Sequence, residues 1–408
     1  MFDQNTLNKY AELVLKKGVN IQSGQGLEIA CPITEAYVAH AVAEKAYSLG
    51  ASIVRVRWED ELLDKINYIN ASEKALAEVP KWFVASKNYL AEKGFCYIAV
   101  SAEDPAAFKD VPAEKTAAAA VARSRALKKF SETVMANGIR WCVAPAPSKA
   151  WAKQVYGDGE DSVKRLTENI EKAMRLDLPD PQAAWEEHVQ NLERRAEILN
   201  GHKFALLRFE NKLGTDLTIG LARDHVWLSA REKAADDVEF IANMPTEEVF
   251  TAPHAGIAEG VVKSSMPLSY NGQIIDDFYI RFKNGRVRDF YAEKGNDALK
   301  NIIGTDAGTR RLGEAALIGK NSPVAQSGTL FFNTLFDENA SCHLALGKAY
   351  PTTVKNGRAL NLKQLKALGA NDSSEHVDFM IGTPDLKVTG IKNDGSEIPV
   401  FTDGEWCF

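Results

Sequence analysis

The five cysteines (Cys31, Cys96, Cys142, Cys342 and Cys407) stand singly, and no CxxC pair occurs along the chain. That spacing speaks against a thiolate metal site and against a disulfide framework. It suits a reducing cytoplasm, with most of the thiols buried in strand-like apolar surroundings. No uninterrupted apolar stretch approaches the roughly 20 residues that a membrane-spanning helix needs. The N-terminus, MFDQNTLNKYAELVLKK, alternates charged and apolar residues like an amphipathic helix; it lacks the apolar core and small-residue cleavage site of a signal peptide. No block of lysine and arginine stands out against the net charge of −6, which argues against a nucleic-acid surface. HExxH, GxSxG and the P-loop pattern are missing too. Gly24-Gln25-Gly26 precedes a strand instead of following one into a helix, so it reads as a turn and not as a phosphate loop.

What is present is an ordinary globular composition, 45% hydrophobic and 25% charged over 408 residues, long enough for two domains. The first half alternates strand-like and helix-like segments. LEIACP (27–32) leads into TEAYVAHAVAEKAYSLGA, where Val38, Ala41, Val42, Ala46 and Leu49 recur at helical spacing, with Thr34 as expected N-cap and Gly50 as terminator. SIVRVRW (52–58) returns as a strand. Helical regions near 72–92 and 114–137 then lead to FCYIAVSA and RWCVAPAP. Strand, helix, strand at these lengths implies parallel strands with crossover helices. Residues 160–200 are helical and charged, with Gly201 expected to cap the end.

Beyond that point the chain turns β-rich: HKFALLRFE, GTDLTIGL, VEFIAN, GVVKSS, QIIDDFYIRFKNGRVRDFYA and TLFFNTLFDE read as strands, and Asn284-Gly285 as a tight hairpin. The expected fold is therefore an α/β N-terminal domain with an open, mostly parallel sheet (1–195), followed by a β-rich α+β metal-binding domain (196–408).

Ligand-type residues of the second half cluster in four places. NMPTEEVF carries Glu247 and Glu248. TRRLGEAAL, which has helical character, carries Glu314. FDENASCHLALG carries Asp337, Glu338 and His343, and EHVDFMIG carries His376 and Asp378. If HVDFMI is a strand, His376 and Asp378 point to the same face. Each piece alone has an ordinary reading: a solvated glutamate turn, a surface ion pair beside two arginines, a hydrogen-bonded core histidine. Together they supply hard oxygen donors and two imidazoles, a set suited to Zn²⁺, Co²⁺, Mn²⁺ or Mg²⁺ in a hydrolytic site. Five or six such ligands exceed one tetrahedral ion and suit two ions about 3.5–4 Å apart, bridged by a carboxylate and a water.

The motifs NMPTEEVFTAPH, TRRLGEAAL, NASCHLALGKAYP and EHVDFMIG, in this order and spacing, resemble the thermophilic metallo-aminopeptidase family of the aminopeptidase T and aminopeptidase S type. GTDLTIGL and the α/β first half match as well, so the resemblance covers essentially the whole chain. It implies Glu248, Glu314, His343, His376 and Asp378 as metal ligands, Glu338 as a further ligand, and Tyr350 as an active-site hydrogen-bond donor to the developing oxyanion. It also implies a cytoplasmic homodimer that removes N-terminal residues from peptides with broad specificity.

On that reading two divalent ions per subunit, zinc or cobalt before magnesium or manganese, activate a bridging hydroxide. One ion polarises the scissile carbonyl and the other holds the free α-amine. Glu247 is either the proton shuttle or a structural neighbour of Glu248. Two other functions stay open at this stage: a metal-dependent amidase or deacylase acting on small molecules, and a non-catalytic binding protein stabilised by metal.

Overall fold

Four short strands, Gly26–Pro32, Ile53–Glu59, Cys96–Ser101 and Trp141–Pro145, make a parallel sheet in which the first strand lies between the second and third and the fourth adds beyond the third. The first is buried along its whole length, as a strand covered on both faces should be. Helices, among them Ala36–Ser48, Lys81–Glu92 and Ala113–Ala126, supply the crossovers that parallel pairing demands. The computed structural model describes residues 1–270 and 273–408. The chain divides into one unit of Met1–Glu187 with Arg231–Pro245, and another of His188–Ala230 with Thr246–Phe408.

A single boundary near residue 195 would leave Arg231–Pro245 in the second unit, but this segment packs with the first. Val143 N–H donates to the Ala242 carbonyl at 2.8 Å, and Trp141 packs against Ala234, Phe240 and Ala242. Two helix ends also differ from expectation. A single 3₁₀ turn, Ile33–Glu35, precedes the helix beginning at Ala36, so Thr34 lies inside that turn and does not cap the helix. The helix Pro181–His202 runs through Gly201, and Lys203 takes the left-handed conformation (φ 52°) that ends it.

Cys31, Cys96, Cys142 and Cys342 are buried and Cys407 is exposed, all as free thiols. Burial pushes the Cys31, Cys96 and Cys342 thiols up to about 12. A thiol-reactive dye should therefore label Cys407 alone in the native protein and all five cysteines after denaturation. Labelling of a second native thiol, read by intact mass, would show that one of the buried sites opens.

The second unit is built on antiparallel pairing. Its larger sheet, nine-stranded among the described residues, includes the strands Gln273–Lys283 and Arg286–Lys294. These join at the expected hairpin: Asn284 and Gly285 have φ of 52° and 70°, and Lys283 pairs with Arg286. Among the described residues no helix is long and apolar enough to cross a membrane.

A smaller sheet orders four antiparallel strands as His376–Met380, His343–Gly347, Leu312–Leu317 and Val249–Thr251. Here the expectation for TRRLGEAAL is overturned: Leu312–Leu317 is a strand buried at every position. The segment TLFFNTLFDE is not a strand either. Its only regular element is the short helix Thr334–Asp337, followed by the 3₁₀ turn Glu338–Ala340.

Candidate metal centre

Register alone places the chemistry of the small sheet. Asp378 pairs with Ala345, and Ala345 with Glu314, so these three form one row across neighbouring strands and share a face. His376 and His343 lie two residues from Asp378 and Ala345 along their own strands, which puts them on the same face. Phe250 pairs with Ala316, and Ala316 with His343; continuing the alternation back from Phe250 brings Glu248 to that face too.

The row is spaced by small residues. Ala345 separates Glu314 from Asp378, and Gly347 lies opposite His376. Gly347 has φ 109°, and a Cβ there would stand 2.1 Å from the Glu375 carbonyl oxygen, so only glycine fits. A bulge at Gly313 shifts the register just before Glu314, a device that re-aims side chains beside functional sites.

The side chains converge as the register predicts. His343 Nε2 lies 3.4 Å from Glu248 Oε2, 3.5 Å from Glu314 Oε1 and 4.0 Å from Asp378 Oδ1. His376 Nε2 lies 3.2 Å from Asp378 Oδ1 and 3.8 Å from Glu314 Oε2. Two ligand triplets result, Glu248–Glu314–His343 and Glu314–His376–Asp378, each with its donor atoms within 4.8 Å of one another and with Glu314 in both.

Three observations test whether these residues fit a cation. First, Glu248 Oε2, Glu314 Oε2 and Asp378 Oδ1 are buried and have no well-formed hydrogen bond, with a histidine Nε2 as the one facing group. Such oxygens are costly unless a positive charge meets them. Second, His376 Nδ1–H donates to the Lys348 carbonyl at 2.7 Å, and His343 Nδ1–H to the Ser341 carbonyl at 3.3 Å. That leaves each Nε2 aimed at carboxylates that can only accept, the orientation found in metal-ligating histidines.

Third, without a cation the cluster must hold protons instead. Burial would lower both imidazoles, yet Glu248 and Glu314 raise His343 well above the ordinary range, and Asp378 and Glu314 push His376 up to about 10. Burial pushes Glu314 up, with Glu248 and Asp378 adding to it. It would raise Asp378 too, but His376 outweighs it and holds that carboxyl below its usual value.

The remaining sequence candidates fall around this core. Glu338, half-buried on its 3₁₀ turn, is pushed well up by burial and then by the Asp378 and Glu248 carboxylates; it lies outside both triplets. The Tyr350 ring lies 4.8 Å from that of His376. Burial, with Glu314 and Asp378 next, raises its phenol well above the usual range, so it keeps its proton. Glu247 is buried and also outside the triplets: its Oε2 stands 3.6 Å from His188 Nε2, and its N–H donates to the Asn339 side-chain oxygen at 2.7 Å. His188 and Asn339 had no signal in the sequence, because both act through contacts made distant in the chain.

Two imidazoles and three largely buried carboxylates on one sheet face are the donor set of a metalloenzyme of the hydrolytic kind, in which hard donors hold divalent cations. The chain belongs to the thermophilic metalloprotease family M29, whose sequence pattern matches residues 3–406. It is 42% identical over 407 residues to aminopeptidase 2 of Geobacillus stearothermophilus, covering 99% of this chain and 98% of that one. To aminopeptidase T of Thermus aquaticus it is 38% identical over 407 residues, covering 99% of each. The solved structure of wild-type AmpT from Thermus thermophilus superposes with a TM-score of 0.93 at 36% identity, covering 99% of this chain and 100% of that one. Family and relatives together place this enzyme among the metallo-aminopeptidases.

Proposed function

We propose that the protein removes the N-terminal residue from peptides bearing a free α-amine, with broad tolerance for that residue, at a centre of two divalent cations. The observation that carries this reading is the sharing of Glu314 by two ligand triplets. One carboxylate between two sets of donors is how a dinuclear hydrolytic site is bridged. Glu248 and His343 would hold one ion, His376 and Asp378 the other, and Glu338 would complete the shell.

When bound, such ions supply Lewis acidity toward a peptide carbonyl and acidify water near neutral pH. The chain's own groups do the rest. The carbonyls of Ser341 and Lys348 keep both imidazoles in the tautomer that presents Nε2. Tyr350, protonated at neutral pH, donates a hydrogen bond to the oxygen on which charge develops. For Glu247, the contacts with His188 and Asn339 support the anchoring role over proton transfer: a buried neighbour that fixes the backbone carrying Glu248. Zinc or cobalt as the resident ions, a homodimer and a cytoplasmic location belong to the same proposal through the family resemblance.

Hydrolysis of Leu-Gly and of N-acetyl-Leu-Gly, after chelation and after adding back Zn²⁺, Co²⁺ or Mg²⁺, tests the reading. Cleavage of the free-amine peptide alone, and only with metal, is expected. Cleavage of both would favour an amidase, and cleavage of neither with any metal would favour a metal-stabilised binding protein.

A further inference from the structure

A cavity of about 250 Å³ in the second unit shares its lining with the metal centre, through His376, Asp378 and Glu338. Leu268, Phe332 and Met380 give it an apolar side, and Ser269, Tyr270 and Thr334 line it as well. Met380 follows His376 by four residues in one strand, so it projects from the ligand face. The backbone at Phe332 is unusual: φ is 54°, a left-handed conformation that a bulky aromatic residue seldom adopts. Asp337 explains how it is held there. Its Oδ1 accepts from Phe331 N–H at 2.7 Å and its Oδ2 from Asn333 N–H at 3.0 Å, so one buried carboxylate clamps the backbone on both sides of Phe332.

We propose that this cavity receives the side chain of the substrate's N-terminal residue, that Phe332 and Met380 are the walls that favour apolar side chains of leucine size, and that Asp337 is the positioning residue for Phe332. The inference rests on the aminopeptidase reading and adds the substrate class. A residue whose amine and carbonyl lie at the ligand cluster has its Cα a bond or two away, and this cavity opens beside His376 and Asp378. Among the described residues that line it there is no lysine or arginine. An N-terminal aspartate or glutamate would therefore find no partner, whereas leucine or methionine would displace water from an apolar wall.

The test compares kcat/KM for leucyl, alanyl and glutamyl p-nitroanilides, and calorimetric binding of L-leucine, L-alanine and L-glutamate, on the metal-loaded enzyme. Phe332→Asn removes the ring while keeping a residue that tolerates the left-handed backbone, and Met380→Ala shortens the second apolar lining residue without touching that loop. The wild type should favour leucine over alanine and discriminate against glutamate. Each variant should lower the leucine-to-alanine ratio about tenfold in both turnover and binding, with metal content unchanged. A fall in leucyl and alanyl activity by the same factor, or an unchanged ratio in both variants, overturns the pocket assignment. Preferential binding of leucine by a protein that cleaves no peptide would keep the pocket and remove the aminopeptidase reading.

Discussion

Glu314→Gln should abolish peptidase activity and yet make the metal-free protein more stable. Glu314 is the one carboxylate common to both ligand triplets, and it is only 5% exposed. An amide in its place keeps the shape but brings no charge to hold a cation. Losing the several kcal/mol of charge stabilisation that metal ions provide would slow turnover about a thousandfold or more. In the metal-free state the sign reverses. Burial, and the nearby Glu248 and Asp378, raise the pKa of Glu314, so at neutral pH the folded state disfavours its ionised form more than the unfolded state does. A neutral isostere removes that penalty.

Thermal melts with chelator and with saturating Zn²⁺ would read both effects. The variant should melt above wild type when stripped and lose most of the increment that metal gives the wild type. A stripped variant melting well below wild type would show that Glu314 is a structural residue first, and retained metal with retained activity would remove it from the centre.

The sequence displays some residues of this site more openly than others, for physical reasons. His376 and Asp378 were legible because HVDFM alternates a ligand face with Val377 and Phe379, both buried, and a half-exposed strand displays its period. Glu314 is visible in the sequence as a ligand-type residue, but its segment reads as helical where the fold makes a strand. Leu312–Leu317 is paired on both sides and buried at every position, so no alternation shows. Its leucines and alanines carry helix propensity that the neighbouring strands override. The alanines that mimic a helix are the ones that leave room on the sheet for ligands.

TLFFNTLFDE failed in the opposite direction. Its aromatic residues suggested a strand, but Asp337 folds the chain back on itself through two backbone hydrogen bonds. No single-residue pattern encodes a carboxylate reaching four and six positions upstream. The same limit hides the attachment of Arg231–Pro245 to the first unit, which rests on the pairing of Asn243 with Val143, a hundred residues earlier.

Metal uptake by the stripped protein at neutral pH should release protons, and apparent affinity should rise with pH. In the absence of cations the cluster balances its carboxylates with imidazolium. His376, pushed up to about 10 by Asp378 and Glu314 against the opposing effect of burial, is protonated at pH 7, and His343, held well above the ordinary range, is too. A raised histidine stabilises the fold fully below its unfolded pKa of about 6.5, and that contribution disappears as pH climbs through about 10. A cation seeking the same Nε2 lone pairs must displace those protons. Each proton displaced makes the apparent affinity rise about tenfold per pH unit while the group stays protonated in the free protein. Titrating Zn²⁺ into stripped protein in two buffers of different ionisation enthalpy gives the count directly, because the heat then depends on the buffer. The His376→Gln variant should release fewer protons than wild type. Buffer-independent heats, or an affinity flat between pH 6 and 8, would mean that the imidazoles do not bind the cation, and the carboxylates alone would then have to hold it.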